Sequence, residues 1–470
     1  MNKISRISVL AVAAACGWAL PVQAQDAASA TAVQQQLDTM RQQMTQMASE
    51  ITTLQSELDE AKAKAAAAET AAGSAAQAAQ TATASANAAQ TAAAKTEIAF
   101  KGAPEISSGG WSFKPRGRMQ FDVGYLGVPS GIADKSTGFA SEVRRAYLGF
   151  DGKMPGGFGY RAEIDVAQSA VEITDLYLTY NPSKELTFTV GQHKPFWGLE
   201  ELTSDLFTSF TERSAINNAF GNERRLGASA AYAKGAFLVQ GGVFTDQVAD
   251  LNNDEDNSLS YDARVVFMPK LLGGQFHLGG SVHVHELNDS AASVRYRVRP
   301  FVHTTDLRFI DTGTIPATSE TGYGLEAAWI GGRFHAAGET RWQTVDRIAG
   351  PNPTFFGGYG EVGYFLTKGD TRGYKGGTFD RTKPAHPVGE GGVGAIELNL
   401  RYDYLDLNDA GIVGGKQNGY QAAIVWSPTQ YTRFIANYGR LQYTQAAIPA
   451  AGGDTSYGVD TFAMRAQVDF

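Results

Sequence analysis

The chain has 470 residues, a formal net charge of −8 and a single cysteine. Its mean hydropathy of −0.23 is mildly polar, and after the N-terminal segment no run approaches the roughly 20 apolar residues of a membrane-spanning helix. The negative charge argues against a nucleic-acid partner, and one cysteine excludes an intrachain disulfide. A membrane protein of this composition must therefore cross the bilayer with strands, since half of each strand can face a wet interior.

Residues 1–24 have the pattern of a secretory signal peptide. Two basic residues, Lys3 and Arg6, precede an apolar run, and the segment ends at the small residue Ala24. An alternative interpretation takes the Ala-Ala-Ala-Cys sequence ending at Cys16 as a lipoprotein cleavage site, which would leave a lipidated cysteine. Both interpretations predict export.

A heptad pattern occupies the first half of the segment 25–98. Over 33–68 the apolar positions alternate in steps of four and three, which is the a/d seam of a coiled coil. The seam residues are Val33, Leu37, Met40, Met44, Met47, Ile51, Leu54, Leu58, Ala61, Ala65 and Ala68. A single amphipathic helix lying on a core is the alternative, which the low-complexity flanks disfavour because they offer no core. We expect an α-helical coiled-coil and Ala-rich stalk over 25–98, followed by a linker at 99–110.

In the remainder, 111–470, the hydrophobic period changes to two. Arg161, Glu163 and Asp165 alternate with apolar residues, and the chain ends in an alternating stretch that closes on Phe470. A polar face with recurring ionised groups opposite an apolar face fits strands that lie between a wet lumen and lipid. A soluble β-sandwich is the alternative, and the aromatic chain end argues against it. We predict an all-β transmembrane barrel.

Sixteen antiparallel strands are predicted, an even number, as a bacterial barrel with both ends in the periplasm requires. They cover 116–125, 142–151, 158–167, 173–180, 186–192, 225–233, 236–245, 260–268, 275–286, 321–330, 333–345, 355–367, 394–405, 418–427, 430–443 and 457–470. Short turns alternate with longer connections, so we place the short ones in the periplasm. Parity assigns 287–320 to one long external loop that folds into the channel. The segment 369–393 is a long periplasmic exception that we expect to plug or line the lumen.

Arginines at alternate positions are the candidate solute path. Arg295, Arg297 and Arg299 project from one side of an extended segment and would offer a passing anion successive modest sites in a hydrated lumen. Surface arginines paired with lipopolysaccharide phosphates or nearby carboxylates are the alternative. Arg144 and Arg145 are neighbours, so the pattern allows only one of them in the lumen, and the apolar residues that follow favour Arg145.

The loop 193–224 carries opposed charges, by which a general porin sets a transverse field. Its candidate constriction residues are Lys194, Glu200, Glu201, Asp205 and Arg213. Solvated loop charges are the ordinary alternative. In the long periplasmic segment the candidate residues are Arg381 and Lys383.

Metal sites and catalytic sites are not predicted. His277, His283 and His285 share the lumen parity, but His283 and His285 lack an obvious third ligand, so we expect wetted lumen histidines without metal. The acidic stretch 250–256 begins like a calcium loop, yet Glu255 replaces the expected glycine. No nucleophile triad or phosphate-cradling glycine loop stands out, so we expect no enzyme and no cofactor.

The barrel sequence resembles the phosphate-selective porins O and P of Gram-negative outer membranes. The matching stretches are 143–148, 190–200, 211–214, 295–300 and 379–384. The resemblance implies a homotrimer of sixteen-stranded barrels with infolded loops, and an arginine ladder of which Arg295, Arg297 and Arg299 match a part. The family's phosphate-binding members have lysines where this chain has Glu201 and Asp205, which weakens the case for strict phosphate selectivity.

We therefore expect an outer-membrane porin that passes small hydrophilic solutes by passive diffusion and favours phosphate or similar anions. Its expected partners are a second and third copy of itself, outer-membrane lipid and lipopolysaccharide, small anionic solutes, and the cell wall through the periplasmic stalk. The alternatives are a non-selective general porin with the same fold, and an envelope tether that acts through the coiled coil while the barrel anchors it.

Overall fold

The computed structural model describes residues 28–93, 96–100, 102–167, 170–250, 258–288 and 292–470. The predicted signal peptide, with Cys16, and most of the acidic stretch lie outside these residues. The chain divides after Ala93 into two units, each of which is treated by itself.

The described part of the first unit forms a helix, α1, which covers Ala28–Ala93. The predicted seam residues are exposed along it: Leu37 is 41% and Ile51 56% accessible. The helix is confirmed, and the coiled coil remains a prediction. Across the described residues, no helix is both long and apolar enough to span a bilayer.

In the described part of the second unit, sixteen antiparallel strands close into one barrel, as the sequence predicts. The strands are β1 (Trp111–Gly127), β2 (Gly138–Met154), β3 (Phe158–Asp165), β4 (Glu172–Tyr180), β5 (Leu186–His193), β6 (Arg225–Lys234), β7 (Phe237–Phe244), β8 (Leu259–Phe267), β9 (Gly274–Glu286), β10 (Ile315–Gly331), β11 (Phe334–Arg347), β12 (Thr354–Phe365), β13 (Ala395–Asp409), β14 (Ile412–Thr429), β15 (Thr432–Thr444) and β16 (Gly458–Asp469). Each strand pairs with the next, and β16 closes the barrel on β1, from Asp460 opposite Gly127 to Asp469 opposite Arg118.

The alternation of side chains explains the closed sheet. In β14, Gln417 and Gln421 face inward and are buried, whereas Tyr420 and Ile424 face outward and are exposed. An outward apolar row suits lipid and an inward polar row suits a lumen. The short turns lie at one end of the barrel, together with the first and last residues of the barrel sequence. We call this the periplasmic end and the opposite one the external end.

The segment predicted as a linker, 99–110, is not irregular. Strands at Glu97–Phe100 and Pro104–Ser108 pair with each other, and the second pairs with β1. Ile98 stands opposite Ile106, and Ile106 opposite Phe113, so apolar residues share one row of the ladder. The predicted linker therefore contains paired strands over much of its length, and its role as a linker stays a prediction.

Shorter elements lie in the connections. They are α2 (Leu199–Leu202), α3 (Ala215–Phe220), 3₁₀ turns at Pro155–Gly157 and Ala451–Gly453, and short strands at Lys270–Leu271, Ser293–Val294, Arg297–Val298, Ile310–Asp311, Gly373–Lys375 and Thr378–Asp380.

The external connection 287–314, which we call the arginine loop, folds into the barrel as predicted. Its Phe301 is buried, and a Cβ atom on Gly419 or Gly439 of the wall would lie 2.4 or 3.0 Å from the Phe301 ring. Tyr296 and Phe309 join the same buried cluster. The apolar residues of this loop drive it inward because the lumen wall gives them a surface to pack on.

Candidate pore-lining site

The connection 194–224, which we call the constriction loop, is fixed to the inner wall near its start. The backbone N–H groups of Leu199 and Glu200 donate to the two carboxylate oxygens of Glu339, at 3.0 and 2.7 Å. Gly198 precedes them with a φ of +73°, and a Cβ there would lie 2.4 Å from Nη2 of Arg341 and from Oε2 of Glu339. Only glycine fits this close approach without strain.

The far part of the constriction loop is fixed to other strands. The backbone N–H of Ala215 donates to Oδ2 of Asp403 on β13, at 2.8 Å. The Thr211 hydroxyl donates to Oδ1 of Asn437 on β15, at 2.6 Å. The loop therefore crosses the lumen and is held on both sides of it.

The long periplasmic segment, 366–394, meets this loop inside the barrel. The backbone N–H of Phe379 donates to Oγ1 of Thr203 at 3.2 Å, and Arg264 Nη2 on β8 donates to the carbonyl of Gly377 at 2.8 Å. Phe379 also packs against buried Leu199. The expectation that this segment plugs or lines the lumen is confirmed by these contacts.

Three adjoining cavities with shared lining residues lie along β2 to β6, and we call them the basic passage. The external cavity has a volume of about 300 Å³ and shares Arg145, Lys194, Arg213 and Arg224 with a middle cavity of about 380 Å³. The middle cavity shares Arg161 with a periplasmic one of about 800 Å³. The passage therefore leads past basic side chains from one end of the barrel toward the other.

Basic residues outnumber acidic ones in the middle cavity, six to two. The basic residues are Arg118, Arg145, Arg161, Lys194, Arg213 and Arg224, and the acidic residues are Asp175 and Asp205. Low-dielectric walls focus the field of such an excess and raise the local concentration of counter-ions. The lining of the middle cavity therefore carries an excess of positive groups.

Asp205 shows how the acidic residues of the constriction loop are held. Its carboxylate contacts Arg118 and lies 2.7 Å from Nε of Arg145. Burial alone would raise the pKa of Asp205, but the two guanidiniums outweigh it and hold the pKa well below its usual range. The carboxylate stays ionised and orients both arginines.

Lys194 and Arg213 share a second acidic partner. Nζ of Lys194 donates to Oε1 of Glu201 at 2.6 Å, and Nε of Arg213 lies 3.9 Å from Oε2 of the same carboxylate. Burial, reinforced by the charge of Arg213, lowers the pKa of Lys194 to about 8. This cation can therefore lose its charge under mildly alkaline conditions.

Arg161 and Arg224 share one carboxylate on β4. Nε of Arg161 lies 3.0 Å from Oδ2 of Asp175, and Nε of Arg224 lies 2.5 Å from Oδ1. Nη2 of Arg161 also lies 3.3 Å from Oε2 of Glu163, so carboxylates hold both guanidiniums at the wall of the passage.

Arg144 and Arg145 both face the lumen, so the prediction that only one can do so is wrong. Gln120 pairs with Arg145 and Phe121 pairs with Val143, which leaves Arg144 as an extra residue in a β-bulge. A bulge restarts the alternation of the strand. Arg144 can therefore reach Glu212 of the constriction loop, with Nε 3.1 Å from Oε1, while Arg145 faces the passage.

Arg295, Arg297 and Arg299 lie on the exposed side of the arginine loop. Nε of Arg295 donates to Asp311 at 2.8 Å, and Nη2 of Arg299 donates to Asp306 at 2.9 Å. The lining of the basic passage does not include any of the three. Their role as an anion path stays a prediction, and two of them are already ion-paired.

The remaining predicted residues occupy separate positions. Glu200 is buried and pairs with Arg401 on β13, away from the basic passage. Arg381 pairs with Asp469 at the periplasmic end. Lys383 lines a further cavity of about 630 Å³ at that end, together with Arg381.

The three histidines of β9 face the interior but are not wetted. His277 and His283 are each 1% exposed and His285 is 6% exposed. They are covered because the infolded segments fill this side of the lumen. Nδ1 of His285 lies 2.9 Å from Oε1 of Glu320 on β10, so a third candidate metal ligand does exist, contrary to the expectation from sequence.

Sequence reasoning did not single out Arg118 and Arg224 for the passage. A signal for the first was present, because Arg116, Arg118, Gln120 and Asp122 form a polar row of period two in β1. Arg224 is visible in sequence as one charge of the loop 193–224, but its place in the passage follows from contacts of that loop with distant strands.

Comparisons with known proteins show one family, through a family model and a named relative. A family model described as "Phosphate-selective porin O and P" matches residues 113–470. An uncharacterized protein of Caulobacter vibrioides is 48% identical over 80% of this chain and 78% of its own length. Porin O of Pseudomonas aeruginosa is 28% identical over 67% of this chain and 78% of its own length. An anion-selective porin from Comamonas acidovorans is similar in structure, with a TM-score of 0.49 and 11% identity over 77% of this chain and 100% of that chain.

Proposed function

This chain belongs to the phosphate-selective porin O and P family and forms an outer-membrane channel, and we propose that the channel favours small anions. The observation that carries the proposal is the middle cavity of the basic passage, with six basic and two acidic residues in its lining. An anion that enters the middle cavity exchanges part of its hydration shell for contacts with guanidinium groups. Each contact contributes a modest binding free energy because the lumen is hydrated.

The proposed substrate class is small hydrophilic anions, with phosphate as one member. The guanidiniums of the passage already share carboxylates, namely Asp175 and Asp205, and Lys194 shares Glu201. These carboxylates repel a multiply charged anion more strongly than a singly charged one. We therefore expect the channel to let phosphate pass rather than to bind it tightly.

The test is single-channel recording of the purified protein in asymmetric potassium chloride. We expect a reversal potential of the sign that indicates preference for chloride. Phosphate added to one side should reduce the current, since it would compete for the same guanidiniums. A reversal potential at zero, or of the opposite sign, would leave a general porin with the same fold.

A second function, attachment within the envelope, is favoured by the exposed seam of α1. The seam residues Leu37, Met44, Ile51 and Leu58 recur at intervals of seven and are all more than 40% exposed. We propose that these residues join the helices of a homotrimer in a periplasmic coiled coil, because a solvated stripe of this length lacks a partner among the described residues of its own unit.

Engineered cysteines test the coiled coil in the full chain, with Cys16 changed to Ser. Leu54→Cys places a thiol in the seam, and Ser56→Cys places one on the opposite face. Disulfide-linked chains in the first variant alone would support the coiled coil. Equal cross-linking in both variants, or none in either, would contradict it. Deletion of 26–98 should leave conductance intact and abolish attachment if the segment is a tether.

A further inference from the structure

His283, His285 and Glu320 come together on the inner wall, outside the basic passage. Each offers one ligand atom, and these atoms all lie within 4.8 Å of one another. His283 and His285 are neighbours on one face of β9, and Glu320 stands directly opposite His285 on β10. The three side chains are preassembled by the strand register, so binding a cation there needs little ordering.

His283 is oriented by an acidic neighbour in a way that leaves one nitrogen available. Nδ1 of His283 lies 2.8 Å from Oδ1 of Asp262, which is opposite it on β8. A carboxylate at Nδ1 fixes the hydrogen on that atom and leaves the lone pair on Nε2. Nε2 of His283 is buried and, among the described residues, lacks a hydrogen-bond partner. A buried imidazole nitrogen with a free lone pair is costly unless a ligand binds it.

His285 is oriented by a serine. The Ser258 hydroxyl donates to Asp246, so its oxygen can only accept from Nε2 of His285, which lies 3.0 Å away. The lone pair of Nδ1 then faces Oε1 of Glu320 at 2.9 Å. In the other tautomer Nη1 of Arg225, 3.2 Å away, donates to Nε2 and Nδ1 donates to Glu320. A cation between Nδ1 and Oε1 would replace that hydrogen and bind both atoms.

Glu320 is held by two donors that leave its other oxygen for a ligand. Tyr296 of the arginine loop and Nε2 of Gln343 on β11 both donate to Oε2. Oε1 therefore remains directed at His285. The side chain is 13% exposed, so the site can be reached from the external end.

We propose that His283, His285 and Glu320 bind a divalent first-row transition cation, with Zn²⁺ the best match. Two imidazoles and one carboxylate are a ligand set typical of Zn²⁺, and three protein ligands leave a fourth position for water. Asp262 and Ser258 act as positioning residues for the two histidines. The site lies beneath both infolded loops: the Trp197 ring of the constriction loop is 5.8 Å from that of His283, and Tyr296 of the arginine loop bonds the carboxylate. The cation therefore stabilises the folded loops as well as the wall.

The test uses the full-length protein in detergent, purified without a polyhistidine tag and titrated with Zn²⁺ by calorimetry. We expect one ion bound per chain and a higher unfolding temperature with Zn²⁺ present, since a ligand that binds only the folded state stabilises it. Co²⁺ in place of Zn²⁺ should give visible absorption bands typical of nitrogen and oxygen ligands. His283→Ala and Glu320→Gln should abolish binding, and Asp262→Asn should weaken it by about 10- to 100-fold.

His277→Ala is the matched control, because His277 is equally buried on the same strand but bonds to Tyr374 and faces Glu326. It should bind Zn²⁺ as the unaltered chain does. Binding that survives both His283→Ala and Glu320→Gln, or no binding by the unaltered chain, would overturn the proposal. If the unaltered chain does not bind Zn²⁺, His285 and Glu320 form only a hydrogen bond. Each variant is first checked for heat-stable β-structure by circular dichroism, and His283→Gln replaces any that misfolds.

Discussion

Single residues of the basic passage carry its charge, and most of them are fixed by an acidic partner. Asp205 holds Arg118 and Arg145, and Asp175 holds two further guanidiniums. Arginine keeps its charge at every accessible pH, so among the six cations of the middle cavity only Lys194 changes its charge between pH 7 and 9. Its pKa is lowered to about 8 by burial and by Arg213.

We predict that anion preference falls as the pH rises from 7 to 9. Lys194 is charged below its pKa of about 8 and neutral above it, so the middle cavity loses one of six cations on this rise. One unit charge at 4 Å is worth about 1 kcal/mol in water, which is about a fivefold change in local anion concentration. Reversal potentials measured across this pH range check the prediction.

Lys194→Met is the control for this titration. It should show the weaker, high-pH preference at every pH, because it removes the charge without opening the fold. A pH dependence that persists in Lys194→Met would assign the titration to another group.

At the scale of elements, the sequence predicts regular strands well and their interruptions poorly. The even number of strands can be predicted from the sequence because each strand shows a hydrophobic period of two and residues typical of turns separate the strands. The bulge at Arg144 is not recoverable, since its local sequence resembles that of an uninterrupted strand. The inward path of the arginine loop is foreseen from parity, but its contacts with Gly419 depend on a wall far away in the sequence.

The short hairpin in the long periplasmic segment gives an element-scale prediction. Gly373 and Asp380 pair directly, so two glycines can replace residues 374–379 without strain on the flanks. The replacement removes Phe379 from its contacts with Leu199 and Thr203. We expect a larger single-channel conductance and a weaker anion preference, because solutes gain a route away from the basic passage.

Glu390→Gln, an exposed change in the same periplasmic segment, is the control for this replacement and should leave conductance unaltered. An unchanged conductance in the hairpin variant, with the barrel intact by circular dichroism, would show that this side of the lumen is closed by other residues.

At the scale of the whole molecule, the candidate site depends on how distant segments meet. The sequence predicts Arg145, Lys194, Asp205 and Arg213 as lumen residues. The basic pair at 144–145 and the charged loop 193–224 can be recognised from the sequence alone. It cannot show that the passage runs along β2 to β6, since that follows from two loops and a periplasmic hairpin filling the opposite side. It likewise cannot place Glu320 beside His285, because that contact follows from the register of β9 with β10.

The most direct test of the account compares two triple variants in the same reversal-potential measurement. One changes Arg145, Arg161 and Arg224 of the basic passage to Gln, and the other changes Arg295, Arg297 and Arg299 of the arginine loop to Gln. Both remove three positive charges, so net charge is matched. The account predicts that the first variant loses its anion preference while the second keeps most of it. Loss of anion preference in the arginine-loop variant alone would contradict the account. The anion path would then run along Arg295, Arg297 and Arg299.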